Sequence, residues 1–334
     1  MTTFTHASKR VTLAPGELFR TNPQDETYRD TPATELRAII DRVVSGVPWR
    51  EAVAAAYGEV HPWLCDIVTS PQRDLFFRQH PPADGARVLD IGAGWGQAAL
   101  PLARRAEVVA LEPTAERMDF IRAAAVQEKV DQSLCFVQAD FFDVTFETKF
   151  DLICCIGVLE WVPKFRAGDP VGLQREFLRR IRSLLNTGGQ LVIGIENRMG
   201  LKYLMGSSDD HIAVPGVAVY DFEMAQRKWR DRTGGALRSL THSRVELSEL
   251  LAESGFDTNQ FFGAFPDYKL PRIILPLGSE INAWFKGGGF VPEHDGSCGR
   301  PLEFQAELAS HYRSLASLGI AQDFAPSFYI IASA

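Results

Sequence analysis

Residues able to do acid–base or charge-pairing chemistry crowd between positions 196 and 211: Glu196-Asn197-Arg198, then Lys202-Tyr203, then Asp209-Asp210-His211. An imidazole titrates near working pH and either adjacent carboxylate could orient it. His211 is therefore the leading general base, with a solvated loop histidine as the alternative reading. His242 and Tyr220 are second choices for that task. Lys202 and Arg198 suit an anionic ligand group or, more plainly, a solvated face. Glu160, in Gly157-Val158-Leu159-Glu160-Trp161-Val162, follows an apolar run and is read as orienting a helix or loop rather than accepting a proton. The expected metal set is none, because consecutive side chains diverge and the seven histidines include no H-x-x-x-H pair.

A second group lies in Arg87 to Gln97, RVLDIGAGWGQ. Val88, Leu89 and Ile91 read as a buried parallel strand carrying Asp90, and Gly92, Gly94 and Gly96 as the loop after it. Glycines let backbone approach a ligand closely, and the next helix aims its first NH groups at the same place. Glu112 closes the following apolar run roughly 20 residues past Gly92, where a nucleotide-type fold puts an acid on ribose hydroxyls. Gln97 stands where the dehydrogenase fingerprint needs a third glycine, which disfavours hydride transfer.

Taken together and in order, Arg87 to Gln97, Glu112, Gln138-Ala139-Asp140-Phe141 and Phe150 to Val162 resemble the motifs of class I S-adenosylmethionine-dependent methyltransferases. The resemblance spans residues 87 to 197, with weaker echoes near 256 to 265 and 326 to 333. It implies S-adenosyl-L-methionine as cofactor, its methionine end lined by Asp90 and the three glycines. Glu112 would then hold the ribose diol and Asp140 with Phe141 meet the adenine, with Pro113 and Ile156 in the same binding set. Many relatives carry histidine where this chain has Trp161. The N/D-P-P-Y/F signature of nucleic-acid amine methyltransferases is not matched by Cys155-Ile156-Gly157-Val158. The ENR-x-GLKY…DDH spelling, with Pro266-Asp267-Tyr268-Lys269-Leu270-Pro271, resembles methyltransferases of bacterial polysaccharide and secondary-metabolite pathways. That implies methyl transfer to an oxygen of a small polar biosynthetic intermediate. Nitrogen or carbon acceptors, or a non-catalytic cofactor-binding partner subunit, are the alternatives.

These residues need elements to hold them. Strands are expected at 87–91, 107–112, 134–138, 150–156, 190–196, 258–263 and 327–332, alternating with helices near 97–106, 115–128, 171–185 and 243–254. The fold class is α/β: a Rossmann-like seven-stranded methyltransferase sheet with an N-terminal helical cap and inserted lid segments. Residues 1–80 form the N-terminal helical segment and 81–334 the methyltransferase domain, with inserts at about 197–242 and 271–325. The second insert passes Gly287-Gly288-Gly289 and Asp295-Gly296-Ser297 and ends in a helix from about Pro301 to Leu318. Residues 1–30 are polar and proline-punctuated, so a disordered or draped start is expected. Helices follow from Thr31-Pro32, Trp49, Pro62 and Ser70-Pro71, either capping the cofactor or forming a packing layer.

Bulk properties narrow the partners. A chain of 334 residues with 46% hydrophobic content can bury an ample core. Its 35 basic against 42 acidic residues give −7, which repels phosphate backbones, so a small-molecule acceptor is expected and no nucleic acid. With no signal-type start and no long apolar run, no membrane partner is expected and the location is cytoplasmic; a homodimer is left open. The five cysteines are odd in number and lack C-x-x-C spacing, which argues against disulfides or structural zinc.

Overall fold

The computed structural model describes residues 1–21, 31–293 and 302–333. The stretch 22–30, the turn Asp295-Gly296-Ser297, Cys298 and Pro301 lie outside the described residues. Contacts divide the chain into two units, one built on Met1–Ile156 with Arg180–Val192, the other on Gly157–Arg179 with Ile193–Ala332.

The first unit holds, in chain order, β1 (Thr2–His6), β2 (Lys9–Leu13), β3 (Leu18–Arg20), α1 (Ala33–Val44), α2 (Trp49–Tyr57), α3 (Pro62–Thr69), α4 (Leu75–Gln79), β4 (Arg87–Ile91), α5 (Ala99–Leu102), β5 (Glu107–Leu111), α6 (Ala115–Glu128), β6 (Leu134–Gln138), β7 (Val144–Phe146) and β8 (Phe150–Ile156). Its principal strands run in the order β8-β4-β5-β6-β3. All four pairings are parallel, with Val88 opposite Leu152 and Val108, and Val108 opposite Leu134. This is the α/β class expected from alternating strands and helices. Both faces of these strands are covered, which is why they read as continuous apolar runs.

The chain's start departs from expectation. Residues 2–13 form a hairpin, with Ala7 and Ser8 at φ 47° and 65° in its two-residue turn. Phe4 is fully buried, its ring 5.1 Å from Phe19 and 5.6 Å from Phe146. β1 pairs with β7, and β3 adds a strand beside β6 that the seven-strand expectation lacked. Threonine and basic residues supply the outward positions here, so composition reads as loop while the period-2 burial of Thr2 and Phe4 makes strand. The first helical segment therefore begins only after these strands. Its four expected helical stretches are present, and Ser70 caps as expected, its Oγ accepting from Gln72 N–H at 3.2 Å. Thr31 does not cap: Pro32 occupies the α1 N-cap position, with no side-chain bond. The helix expected over 97–106 shrinks to α5, because Pro101 has no N–H to return to the preceding turn.

α7 (Pro170–Leu184) and β9 (Leu185–Glu196) carry the chain through both units. The second unit adds α8 (Leu201–Leu204), α9 (Phe222–Thr233), α10 (Arg244–Glu253), β10 (Thr258–Phe265), β11 (Ile273–Pro276), α11 (Ser279–Lys286), α12 (Leu302–Ser317) and β12 (Ser327–Ser333). β11 pairs antiparallel with β10, a further strand beyond the expected set. The 197–242 insert has a small core of its own, Val217, Ala225, Leu237 and Leu240. α10 opens on a full capping box between Ser243 and Glu246.

If the hairpin is part of the folded unit, Phe4→Ala lowers stability by about 3–5 kcal/mol with little change in urea m-value. A midpoint within experimental error of the parent would show that these strands are decoration.

Candidate active site

In the first unit the candidate site grows from the carboxyl ends of β4, β5, β6 and β8. Asp90 is carried into the interior by a strand buried on both faces and is 2% exposed. Burial pushes its pKa up to about 7, with an N–H from Ala99 opposing and Glu112 adding to the rise. Among the described residues, Asp90 Oδ2 has no hydrogen-bond partner. It shares a cleft with Gly92, Gln97, Ile156, Arg73 and Phe77. Gly92, Gly94 and Gly96 have φ of 68°, 58° and 82°, a region side chains rarely adopt. A Cβ on Gly96 would also meet Leu100 Cγ at 3.0 Å.

Glu112 fixes that loop. Its carboxylate accepts from Gly94 N–H at 2.9 Å and from Thr114 N–H at 3.0 Å, clasping the end of β5 to the glycine turn. Burial raises its pKa, while Arg117 and these two N–H groups pull the other way. The Pro113 carbonyl accepts from Gln138 Nε2 at 2.9 Å, tying the ends of β5 and β6. Asp140 caps a short 3-10 turn, accepting from Phe142 N–H at 2.7 Å, and Phe141 is buried with the Arg180 guanidinium 5.6 Å from its ring.

The second unit contains a network of charges largely withdrawn from water. Lys202, 1% exposed, donates to Asp210 at 3.1 Å and lies 3.7 Å from Glu293 and 4.0 Å from Asp267. Tyr203 O–H donates to the same Asp210 oxygen at 3.1 Å, and Lys269 donates to Glu196 Oε1. The His211 ring is 4% exposed, with Nε2 3.2 Å from Glu196 and 3.4 Å from Glu160. Asp209 turns the backbone, accepting from the N–H groups of His211 and Ile212 at 2.8 and 3.1 Å, and stands 3.6 Å from His211 Nδ1. Burial alone would lower the affinity of His211 for its proton. The charge of Glu196 and the closeness of Asp209 and Glu160 more than reverse that, so the imidazolium persists well above its ordinary pKa. Glu160 moves up, driven by burial. Glu196 moves down despite burial, held by His211 and Lys269. Glu293 is pushed up by burial to about 7.

Residues 89–193 match the family model for the methyltransferase domain. Residues 89–193 are similar to a methyltransferase domain. The chain is 36% identical over 118 residues to the tRNA 5-carboxymethoxyuridine methyltransferase of Escherichia coli K12, covering 34% of this chain and 42% of that protein. It is 29% identical over 148 residues to the ubiquinone biosynthesis O-methyltransferase of Aeromonas salmonicida, covering 44% and 55%. The CcbJ methyltransferase of Streptomyces caelestis superposes with TM-score 0.43 at 18% identity, covering 60% of this chain and 84% of that one. The chain thus spans about half the length of the curated relatives it matches.

Within the methyltransferase domain, the residues expected to hold the cofactor lie at the ends of adjacent strands. Arg73 and Phe77 were not among them, although the Ser70-Pro71 cap marked the turn that carries them to the cleft. In the second unit, Glu160 and His211 come together but Tyr220 does not: it is 39% exposed, with Lys228 Nζ 4.5 Å over its ring. Arg198 is spent on both carboxylate oxygens of Glu246, at 2.6 and 2.7 Å. His211 is enclosed among carboxylates that raise its hold on a proton. Glu196, Asp267, Lys269 and Glu293 are members no local spelling had assigned a role.

His242 gives a pH test. It is half-buried, its Nε2 2.7 Å from Gln174 Oε1, and burial lowers its pKa to about 4, Glu246 raising and Arg198 lowering it further. The folded chain therefore resists a proton that the unfolded chain accepts near pH 6.5. Stability present above pH 6.5 falls as pH drops toward 4, by at most about 3 kcal/mol. Urea midpoints across that window should decline in the parent and flatten in His242→Gln; a parent midpoint constant from pH 6.5 to 4 contradicts the assignment.

Proposed function

We propose that this protein is a cytoplasmic biosynthetic enzyme moving a methyl group from S-adenosyl-L-methionine to an oxygen of a small polar molecule. The observation that carries this reading is the cleft lined by Asp90 and Gly92, where a buried carboxylate oxygen has no hydrogen-bond partner among the described residues and the glycine turn is left-handed. The residues present fit the cofactor. Asp90 Oδ2 offers an anionic acceptor for its ammonium. Glu112 keeps lone-pair directions beyond those used by Gly94 and Thr114, suited to the ribose diol. Phe141 and Asp140 suit the adenine, with Pro113 and Ile156 completing the wall. When bound, the cofactor supplies a methyl on a sulfonium, already activated by its positive charge. What remains for the chain is to hold the reactants in line and keep water out.

An oxygen acceptor must also lose a proton. The carboxylates around His211 raise its hold on its own proton, so the role is given to one of them. Glu160 is our choice, because burial raises its affinity for a proton. Asp210 and Lys269, whose side chains are 15% and 21% exposed, offer polar contacts to the acceptor. A second reading, a tRNA acceptor, is suggested by the similarity to the Escherichia coli tRNA 5-carboxymethoxyuridine methyltransferase. The net charge of −7 favours the small molecule. Among the described residues no helix is long and apolar enough to cross a membrane.

Isothermal titration with S-adenosylhomocysteine should show binding, weakened about tenfold or more by Asp90→Asn and by Glu112→Gln. No binding at millimolar ligand rejects the proposal. Glu160→Gln should lower turnover about a hundredfold while leaving that affinity unchanged. With radiolabelled S-adenosyl-L-methionine, label entering bulk tRNA rather than the small-molecule pool would replace the acceptor class.

A further inference from the structure

The charge network brings three potential metal-ligand side chains together. One ligand atom each from Glu160, Glu196 and His211 lies within 4.8 Å of the other two. His211 Nε2 stands 3.2 Å from Glu196 Oε2 and 3.4 Å from Glu160 Oε1. Glu160 and Glu196 are 0% exposed, yet among the described residues Glu160 Oε2 and Glu196 Oε2 have no hydrogen-bond partner. Glu196 Oε2 is thus close to the ring nitrogen but outside the line of its N–H. Ligand atoms about 2.1 Å from one metal ion and at right angles are roughly 3 Å apart and sit off each other's lone-pair axes. The two distances from His211 Nε2, 3.2 and 3.4 Å, are of that size.

The neighbouring lysine ammonium groups do not relieve these two oxygens. Lys202 is taken by Asp210, Asp267 and Glu293, and Lys269 reaches the other oxygen of Glu196. A buried carboxylate oxygen left without a donor costs several kcal/mol, so the enclosure is short of positive charge at one place. We infer that Glu160, Glu196 and His211 form a site for a first-row divalent cation, which on binding displaces the proton that the His211 ring holds in its absence. One imidazole and two carboxylates make a mixed nitrogen–oxygen set, which suits Mn²⁺, Fe²⁺, Co²⁺ or Zn²⁺ better than the all-oxygen preference of Ca²⁺. Three protein ligands leave coordination positions open to oxygen groups of another molecule. The site differs from any metal pair within Asp209-Asp210-His211, where adjacent side chains point apart, because its ligands come from three separate segments. It does not rest on the methyl-transfer reading, and its test uses neither cofactor nor acceptor.

The full chain, freed of metals with chelator, would be titrated with Mn²⁺ at neutral pH while the signal of free Mn²⁺ is followed by electron paramagnetic resonance. One strong site per chain is expected. Glu160→Gln, Glu196→Gln and His211→Gln should each weaken it about tenfold or more, with near-ultraviolet circular dichroism confirming the fold. Glu293→Gln, in the same network but outside the three-residue set and 3.7 Å from Lys202, should leave affinity within about threefold. Should a glutamine variant fail to fold, the matching Glu→Asp change keeps the test, since displacing the carboxylate must still weaken binding. Absence of Mn²⁺ binding up to about 1 mM overturns the inference. So does binding that survives any one of the three substitutions, or that Glu293→Gln weakens as much as they do.

Discussion

Carboxylates taken out of water are what the rest of this structure has to answer. Asp90, Glu112, Glu160, Glu196, Asp267 and Glu293 are each 6% exposed or less. An ionised carboxylate left alone in apolar surroundings costs many kcal/mol, so each must find donors, a cation or a proton. The two units solve this differently. In the first, Glu112 is met by main-chain N–H groups of Gly94 and Thr114. Gly94 can present its N–H there only because the chain turns through positive φ. The glycine loop is thus demanded by the carboxylate behind it as much as by any ligand in front.

In the second unit the donors are side chains, and the result is less fixed. Main-chain groups are held by their strands, whereas ammonium and imidazolium groups carry whole charges whose effects depend on every neighbour. Lys202 keeps its proton in spite of burial because Asp210, Glu293 and Asp267 surround it. Glu196 and Glu160 move in opposite directions beside the same imidazole, since Lys269 reaches one and not the other. A shared enclosure can therefore hold one carboxylate firmly ionised and another ready to change state.

Legibility in the sequence follows the same division. Asp90, Gly92, Glu112 and Asp140 sit within a few residues of strand ends, so strand period and glycine punctuation locate them, and parallel pairing of β4, β5, β6 and β8 brings them side by side. Lys202 reads locally as a ligand contact or a solvated face, because of its three partners only Asp210 shares its stretch of sequence while Asp267 and Glu293 come from far along the chain. Arg73 and Phe77 were visible as a capped turn but not as cleft walls, because nothing in Ser70-Pro71 says what the turn packs against. The hairpin at residues 2–13 was hidden by threonines, which are loop-like in composition and strand-like in a half-buried sheet. Pro101 was overlooked as the residue that cuts α5 short.

His211 shows why residue type and adjacency stop short of mechanism. The neighbour that adjacency supplied, Asp209, does stand by the ring, at 3.6 Å from Nδ1. With that single carboxylate at a solvated loop, the histidine would titrate near neutrality and could serve as a base. Glu160 and Glu196 arrive from other segments and raise the ring's hold on its proton. The chemistry open to the group is then decided by how many negative charges share its enclosure and how few donors they have, a sum over distant residues that only the folded chain performs.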